Sequence, residues 1–312
     1  MVLVVSLQLH LLRSQFLGEE TGEPGVMSVS GAHFEAGGDG VVAARTLRDL
    51  GHEPHLLSVR GGTTGEILER ELAREGLAPE LVPGIIPTPM GFRLFGARRN
   101  EVEEYREDPI RFGGEEMREL LERFDERLPQ SRAVLLCGDS PSTGSEFLFG
   151  EMLRRLRDAG VPHVVKTRGP SLAECLRSGG DVIVVRRPQW IAAAREQGCS
   201  EETMLEQAFA AGSAAVVLTD GATRVSLWTE EGELELEPPA TQGRGGLAPG
   251  EALAAGLLDR RLRGWDLQPS VCFGIAAGTA QSLKPLGGRL STETIDGFYR
   301  QVRAVSREEA GE

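Results

Sequence analysis

The sequence predicts an α/β fold with a mostly parallel central sheet, and three observations support it. Short apolar runs alternate with helical stretches along the chain, which is the rhythm of βαβ units. Glycine loops such as residues 37–40 and 138–144 join strands to helices. Residues 91–111 break this rhythm, because they form two short strand-like runs around the basic turn 98–100. We expect this antiparallel insertion to form a lid over a site.

Short runs rich in valine, leucine and isoleucine mark the strands, because their length favours strands over helices. From the amino end, we predict strands at residues 2–7, 26–34, 55–59, 133–137, 162–166, 181–185 and 214–219. Several of these runs are continuously apolar, as expected for strands buried on both faces of a parallel sheet. Residues 225–236 alternate apolar with polar side chains and therefore predict a hairpin.

Helical stretches lie between these strands, and glycine ends some of them, as at Gly51 and Gly76. We predict helices at residues 41–50, 65–75, 115–128, 146–159, 171–178, 190–197, 201–211, 251–263, 271–283 and 291–305. The helices at 251–263 and 271–283 are rich in small residues, whereas the last is amphipathic. The tail, residues 306–312, is predicted to be disordered.

The charge balance argues against two classes of partner. The 312 residues include 34 Lys and Arg against 47 Asp and Glu, a net charge of −13. A surface this acidic repels the phosphates of nucleic acids and of anionic lipids. We therefore expect neither nucleic acid nor a membrane as a partner.

Cysteine usage and the amino terminus point to a cytoplasmic protein. The four cysteines are far apart and include no C-x-x-C pair, which favours reduced thiols over disulfides or a zinc site. The apolar residues 1–12 lack the basic flank and the cleavage site of a signal peptide. They are also too few to span a bilayer.

The most informative stretch is A-P-G-E at residues 248–251, which leads into a small-residue helix. A helix N-terminus presents unpaired N–H groups and a positive dipole end, which stabilise an anion such as a transferred phosphoryl group. Glu251 could accept a proton from a hydroxyl nucleophile. Pro249 has no N–H to donate. Glu251 could equally be an ordinary carboxylate in the first turn of a helix.

Four motifs follow one another in a specific order: residues 37–40, 138–144, 219–222 and 248–256. This order resembles the ribokinase/PfkB carbohydrate kinase family, most closely the branch with 1-phosphofructokinase and tagatose-6-phosphate kinase. The resemblance covers nearly the whole chain. It implies a three-layer α/β/α ribokinase-like fold with a small β-sheet lid.

The resemblance also implies a division of the chain and a reaction. Residues 37–90 and 110–305 would form the core, and residues 1–36 and 91–109 would contribute strands to the lid. The reaction would transfer the γ-phosphoryl group of ATP, with Mg²⁺, to a sugar or sugar phosphate. The lid would be able to join two copies into a homodimer.

Eleven residues receive roles from the resemblance. Glu251 would be the catalytic base in place of the usual aspartate. Gly250 and Ala248 would form an anion hole, and Gln189 would be a metal ligand. The substrate contacts would be Gly37, Gly38, Arg93 and Asp139. The nucleotide contacts would be Thr219, Gly221 and Arg187.

The chain departs from the family pattern where chemistry is expected. Glu251 is one methylene longer than aspartate, about 1.5 Å, and displacement of a catalytic group by ~1 Å can cost ~100-fold in rate. Pro249 removes one anion-hole donor. The other departures affect sugar and metal contacts, and they are Asp39, Val42, Leu12 and Ala192.

Three functional interpretations stay open at this stage. The first is a kinase with weak or altered activity, and the second is an inactive pseudokinase that binds a nucleotide, a sugar phosphate or a protein. The third is an active transferase with a different acceptor. Single residues also have structural alternatives: Asp139 could stabilise a turn, and Arg93 and Arg187 could be surface charges.

Overall fold

The computed structural model describes residues 1–96, 102–109, 111–140, 144–241, 249–284 and 288–305. The basic turn 98–100, Ala248 and the tail 306–312 therefore lie outside the described residues. Among the described helices, none combines the length and the apolar character needed to cross a membrane.

Strands in the described part of the chain number fourteen. They are β1 (Val2–Ser6), β2 (His10–Glu20), β3 (Met27–Gly37), β4 (Pro54–Gly61), β5 (Ala78–Gly84), β6 (Met90–Gly96), β7 (Val102–Arg106), β8 (Ala133–Gly138), β9 (His163–Thr167), β10 (Val182–Arg186), β11 (Ala215–Asp220), β12 (Arg224–Thr229), β13 (Gly232–Glu237) and β14 (Arg303–Val305).

The described helices connect these strands, and one short 3₁₀ turn, Leu128–Gln130, precedes β8. They are α1 (Asp39–Asp49), α2 (Gly62–Arg74), α3 (Gly114–Arg127), α4 (Phe147–Asp158), α5 (Gly169–Ser178), α6 (Arg187–Gln197), α7 (Glu201–Ala210), α8 (Pro249–Leu262), α9 (Leu267–Leu283) and α10 (Thr292–Tyr299).

A ten-stranded sheet forms the centre of the fold, in the order β14-β13-β12-β11-β10-β9-β8-β1-β4-β5. The pairs from β11 through β5 are parallel, and the pairs that add β12, β13 and β14 are antiparallel. The mostly parallel sheet confirms the predicted fold class. Pro79 and Pro83 are accommodated in β5 because it is an edge strand.

Helices cover both faces of this sheet and create two cores. Val2 and Val4 of β1 face the core that includes α1, α8 and part of α9, whereas Leu3 and Val5 face the core that includes α3 to α7. This alternation follows from the two-residue period of a strand. The layers are those of a three-layer α/β/α fold.

The small sheet has the order β3-β2-β6-β7, with β2 and β6 parallel and the outer pairs antiparallel. It is separate from the large sheet. Residues 10–20 had no strand prediction because glycine and charged residues interrupt their apolar pattern, yet they form the long strand β2.

Two predicted ranges differ from the structure. The lid range 1–36 includes β1, which lies between β8 and β4 in the large sheet, because its five residues are all buried. The last predicted helix, residues 291–305, ends earlier, since α10 stops at Tyr299 and β14 pairs with β13. The remaining domain boundaries stay predictions.

Helices α8 and α9 approach closely through glycines. A Cβ atom added at Gly278 would lie 2.7 Å from the carbonyl oxygen of Pro249, and one added at Gly274 would lie 2.6 Å from that of Leu253. Neither position leaves room for a side chain, because both contacts are with backbone. Gly278 therefore holds the first turn of α8 against α9.

Candidate functional site

The candidate site lies where the strand order of the large sheet reverses. From β1 the chain continues on one side to β4, whereas β8, on the other side of β1, leads on to β9 and β10. Ligands of open α/β sheets bind at such a switch point, beyond the carboxyl ends of the strands. Close contacts bring the N-termini of α1 and α8 to this edge.

At the N-terminus of α8, the candidate base forms a buried ion pair. Glu251 Oε1 lies 3.2 Å from the Nζ atom of Lys166, and the side chains are only 8% and 4% exposed. A Cβ atom added at Gly250 would lie 2.7 Å from Cε of Lys166. The lysine side chain therefore lies against the first turn of the helix, where the resemblance places the anion hole.

A second ion pair stands at the N-terminus of α1. Asp39 Oδ2 accepts a hydrogen bond from Nη1 of Arg168 at 2.8 Å. Burial raises the pKa of Asp39, but the charges of Arg168 and Lys166 outweigh it and leave the pKa below its usual value. Two acidic and two basic side chains thus form a charge quartet: Asp39, Lys166, Arg168 and Glu251.

The predicted substrate glycines are packed against β2 and the loop that precedes it. Gly38 has a positive φ of 127°, and an added Cβ would lie 2.7 Å from the carbonyl oxygen of Gln8. An added Cβ at Gly37 would lie 2.4 Å from Nε2 of His10. Both positions require glycine for close packing, whatever they contact in a ligand.

A cleft of ≈ 210 Å³ opens beside the charge quartet. Its lining combines apolar side chains with two arginines, one acid and a histidine, and it consists of Gln8, Leu9, His10, Pro89, Arg106, Glu107, Pro109 and Arg168. One carboxylate oxygen of Glu107 accepts a hydrogen bond from the backbone N–H of Met90, at 2.7 Å. The cleft therefore joins the base of the small sheet to Arg168 of the quartet.

His10 is the least ordinary group in this cleft. It is 8% exposed, and its Nε2 atom has no hydrogen-bond partner among the described residues. Burial, with the positive charge of Arg106, lowers its pKa to about 4. The imidazole is therefore neutral at neutral pH.

Asp139 lies at the N-terminus of α5. Its Oδ1 atom accepts hydrogen bonds from the backbone N–H groups of Ser140, at 2.7 Å, and Ser171, at 3.4 Å. Burial raises its pKa. Both contacts are those of a residue that stabilises a turn and a helix start, and its role toward a substrate stays a prediction.

Arg93 lies inside the small sheet and is 6% exposed. Its guanidinium donates to Glu35 Oε1 at 2.5 Å and to Glu104 Oε2 at 3.0 Å and 3.1 Å. Two carboxylates therefore already neutralise the positive charge that was predicted to bind a substrate.

The predicted nucleotide residues form a second group at the carboxyl ends of β10 and β11. Arg187 Nη1 lies 3.5 Å from Oγ of Ser226, and its Nη2 lies 3.7 Å from Oε2 of Glu201. Thr219 is the second-last residue of β11 and is 8% exposed. Gly221 comes directly after the strand, with a φ of 58° and open space around it. The structure brings these residues together without testing their role.

The described residues do not form a Mg²⁺ site made of protein ligands alone, and Mg²⁺ is usually held by one or two carboxylates together with waters and substrate phosphates. Gln189 Oε1 is buried without a hydrogen-bond partner among the described residues, so one oxygen is available. Arg187 lies two residues before it, and no group of three acidic, histidine or cysteine side chains in the described ranges could hold a metal. The carboxylates of the charge quartet, Asp39 and Glu251, are paired with Arg168 and Lys166.

Lys166 is the functional candidate that the sequence analysis missed. It was assigned only to the end of a strand. The sequence contains two lysines, Lys166 and Lys284, among many arginines. A rare lysine directly after a buried apolar run was the available signal, because such a position lies at the ligand-binding edge of a parallel sheet.

Solved structures of the same architecture support the fold. Phosphofructokinase-2 from Escherichia coli, in complex with fructose-6-phosphate, has a TM-score of 0.81 and 18% identity, and the match covers 96% of this chain and 98% of that one. Ribokinase from Thermotoga maritima has a TM-score of 0.71 and 15% identity, covering 96% and 99%. These likenesses establish a ribokinase-like fold.

Sequence comparison then identifies the family. The 1-phosphofructokinase of Rhodobacter capsulatus is 25% identical over 268 residues, which are 84% of this chain and 83% of that protein. The model of the pfkB family carbohydrate kinases matches residues 10–294, most of the chain. The chain therefore belongs to the pfkB family of carbohydrate kinases.

Proposed function

We propose that this protein is a PfkB-type carbohydrate kinase homologue that transfers phosphoryl groups from ATP to a sugar or sugar phosphate slowly or with an altered acceptor. The observation that carries the proposal is the 3.2 Å ion pair between Lys166 and Glu251. Glu251 is the residue to which the resemblance assigns the role of the base, and it is neither free nor exposed.

The ion pair slows proton transfer for a physical reason. A base must accept the proton of the attacking hydroxyl. If Glu251 accepts it, Lys166 is left buried and charged without its counter-ion, and breaking a buried pair costs about 3–5 kcal/mol. At ~1.4 kcal/mol per factor of ten, this predicts a rate about 10²- to 10⁴-fold below that of an unpaired base.

A second function is favoured by the other ion pairs. Asp39 is neutralised by Arg168, and Arg93 by Glu35 and Glu104. A site whose charges are already paired contributes less to binding a charged substrate, because existing pairs must be exchanged. The alternative is therefore a catalytically inactive pseudokinase that binds a nucleotide, a sugar phosphate or a protein partner.

A kinase assay separates these functions. Release of ADP from Mg-ATP is measured with fructose 6-phosphate, fructose 1-phosphate and tagatose 6-phosphate as acceptors. Glu251→Gln removes the base, and Glu206→Gln on the exposed side of α7 is the matched control. We expect turnover at least 100-fold below the ~1–100 s⁻¹ of ordinary kinases, lost in Glu251→Gln and kept in Glu206→Gln.

Two results would change the assignment. Turnover within the ordinary range that disappears in Glu251→Gln would show that the lysine does not restrain the base. No turnover with any acceptor, together with retained ligand binding in a thermal-shift measurement, would favour the pseudokinase.

The small sheet supports a proposed homodimer. Strand register places Arg13 between Phe34 and Phe92, and Phe92 opposite Tyr105, so that these side chains share one face. The three aromatic rings are 39%, 39% and 56% exposed. Light scattering should report a dimer, and Phe92→Glu should shift it to a monomer, whereas Phe147→Glu, at an exposed site on α4, should not.

We also place the protein in the cytoplasm. All four cysteines are free, and Cys137 and Cys175 are buried. Free thiols are typical of reducing compartments. Cell fractionation with a tagged chain tests this location, and recovery in an oxidising compartment would contradict it.

A further inference from the structure

Acidic and basic side chains alternate across the face of the small sheet that leads to the cleft. Glu104 and Arg106 lie two residues apart in β7 and therefore share a face. Arg93 of β6 lies directly opposite Glu104 in the strand register, and Glu35 of β3 contacts Arg93. We call these four residues the charge row, and it reaches the cleft because Arg106 is one of the lining residues.

Hydrogen bonds pair every charge within the charge row. Arg93 donates to Glu35 Oε1 at 2.5 Å and to Glu104 Oε2 at 3.0 Å. The other oxygen of Glu104 accepts from Nε of Arg106, and Oγ of Ser14 donates to Glu35 Oε1 at 2.6 Å. Burial raises the pKa of Glu104, but the charges of Arg106 and Arg93 outweigh it and leave the pKa below its usual value. Both arginines therefore face ionised carboxylates.

The cleft has no excess of positive charge. Arg106 and Arg168 are its basic lining residues, and Glu107 is its acidic one. Glu104 binds Arg106, and Asp39 binds Arg168. Three carboxylates thus stand against two guanidinium groups, so the cleft and the partners of its arginines carry a net negative charge.

This balance disfavours a phosphate group. A phosphate monoester carries about −1.5 to −2 charges at neutral pH. To bind it, Arg106 or Arg168 would have to leave a partly buried carboxylate without its counter-ion, which is costly. The carboxylate of Glu107 would also repel it. His10 adds no compensating positive charge, because burial lowers its pKa to about 4.

An uncharged polyhydroxy compound meets none of these costs. A guanidinium has five N–H donors and a carboxylate has about four acceptor sites, so paired groups keep capacity for hydroxyl groups. The amide of Gln8 adds a donor and an acceptor to the lining. The cleft volume of ≈ 210 Å³ is below the ~300–1,000 Å³ of pockets for drug-sized ligands. These properties suit one small, neutral ligand.

We infer that Glu35 and Glu104 exclude phosphate groups by neutralising Arg93 and Arg106, so that the cleft binds an uncharged polyhydroxy compound such as a free sugar. This inference rests on the proposed function, and it specifies the chemical class of the acceptor. Specificity of this kind comes from interactions that oppose the wrong ligand. Glu35 and Glu104 act through the two arginines and are therefore positioning residues.

Calorimetric titration of the full chain without ATP tests the inference. The probes are fructose, tagatose and ribose, each compared with its ester: fructose 6-phosphate, tagatose 6-phosphate and ribose 5-phosphate. We expect a free sugar to bind with a Kd at least ~10-fold below that of its ester. The double variant Glu35→Gln, Glu104→Gln should lower the Kd of the ester at least ~10-fold, because it frees Arg93 and Arg106. Glu19→Gln, at an exposed position of β2, is the matched control and should not.

The outcomes separate this inference from the proposed kinase. An ester whose Kd is less than ~10-fold above that of its free sugar overturns the inference and leaves the kinase intact. Preferred binding of a free sugar without ADP release in the kinase assay supports the inference and contradicts the kinase. Binding of none of the six probes overturns the inference. If the double variant fails to fold in a thermal melt, the comparison of sugars with esters in the unmodified chain still decides.

Discussion

The two ends of α8 each bury a carboxylate, and they hold it in different ways. Glu251, at the first turn, has one basic partner, Lys166, which lies against the helix N-terminus. Asp259, near the last turn, is completely buried, forms ion pairs with Arg260 and Arg263, and is hydrogen-bonded to His52. An acidic group is favoured by the dipole at the first end and disfavoured at the second.

The carboxylate at the carboxyl end of α8 anchors the helix, whereas the carboxylate at the amino end belongs to the candidate site. At the carboxyl end, Arg132 donates to Nδ1 of His52 at 3.2 Å, so Nε2 carries the proton donated to Asp259 at 2.7 Å. These bonds tie α8 to residues distant in sequence. At the amino end, the helix dipole favours the negative charge of Glu251 but disfavours the positive charge of its partner, Lys166.

The largest expected effect is at the anchor. Asp259→Asn removes the charge that holds His52 and Arg263, and breaking a buried ion pair costs about 3–5 kcal/mol. Urea denaturation should show this loss in the free energy of unfolding. Asp158→Asn, on the exposed side of α4, should change it by less than about 0.5 kcal/mol. Equal effects of the two variants would refute the anchor role.

The second prediction uses pH to separate the cleft beside the candidate site from the Asp259 anchor. The pKa of His10 falls from 6.5 to about 4 on folding, so the unfolded chain binds the proton first. Stability is complete above pH 6.5 and decreases as the pH falls to about 4, by up to about 3 kcal/mol. Urea denaturation from pH 7 to pH 4 measures it, and His10→Asn should flatten the profile while the exposed His33→Asn should not.

The contribution of Asp259 to stability is lost in a lower pH range than that of His10. Burial raises the pKa of Asp259, but the hydrogen bonds from His52 and Arg263 outweigh it and leave the pKa below 3.8. Its contribution is therefore present above that value and is lost as the pH falls through the folded-state pKa. A His10→Asn profile that still declines between pH 6.5 and pH 4 would assign that decline to another group.

The third prediction concerns the ion pair at the amino end. Lys166→Met and Glu251→Leu should each destabilise the protein, because each leaves a buried charge alone. The double variant should lose less than the sum of the two, with a coupling energy of about 1–3 kcal/mol. Additive losses in urea denaturation would mean that the two side chains do not interact.

The smallest predicted effect is the loss of one helix N-cap, which gives a reference value for the other losses of stability. Oγ of Ser200 accepts from the backbone N–H of Thr203 at 3.2 Å and caps α7. Ser200→Ala should cost about 1 kcal/mol in thermal or urea denaturation. Loss of the α8 pair should exceed this value, and a smaller loss there would mean that the pair contributes no more than a cap.

The sequence was sufficient for the architecture where apolar patterns were continuous. The runs at β1 and β8 predict strands buried on both faces, and the structure places them side by side. The small sheet was harder, because β2 carries glycine and acidic residues and depends on pairing with β3 and β6. Such tertiary pairing leaves little trace in local composition.

The site was predictable in its location and less so in its electrostatics. The loop at residues 248–251 indicated the N-terminus of α8, and Glu251 lies there. Its partner Lys166 is 85 residues earlier and meets it only after β9 and α8 are in place. The pairing of Arg93 with Glu35 and Glu104 likewise depends on strand register.

The glycine contacts between α8 and α9 determine how this site can respond to a ligand. Because the carbonyl of Pro249 rests on Gly278, the first turn of α8 has no space in which to shift toward α9. Adaptation must come from side chains, chiefly Lys166 and Arg168. The position of the backbone N–H groups at the start of α8 is therefore fixed when the chain folds. Evolution can alter ligand specificity here by exchanging side chains, without rebuilding the helix.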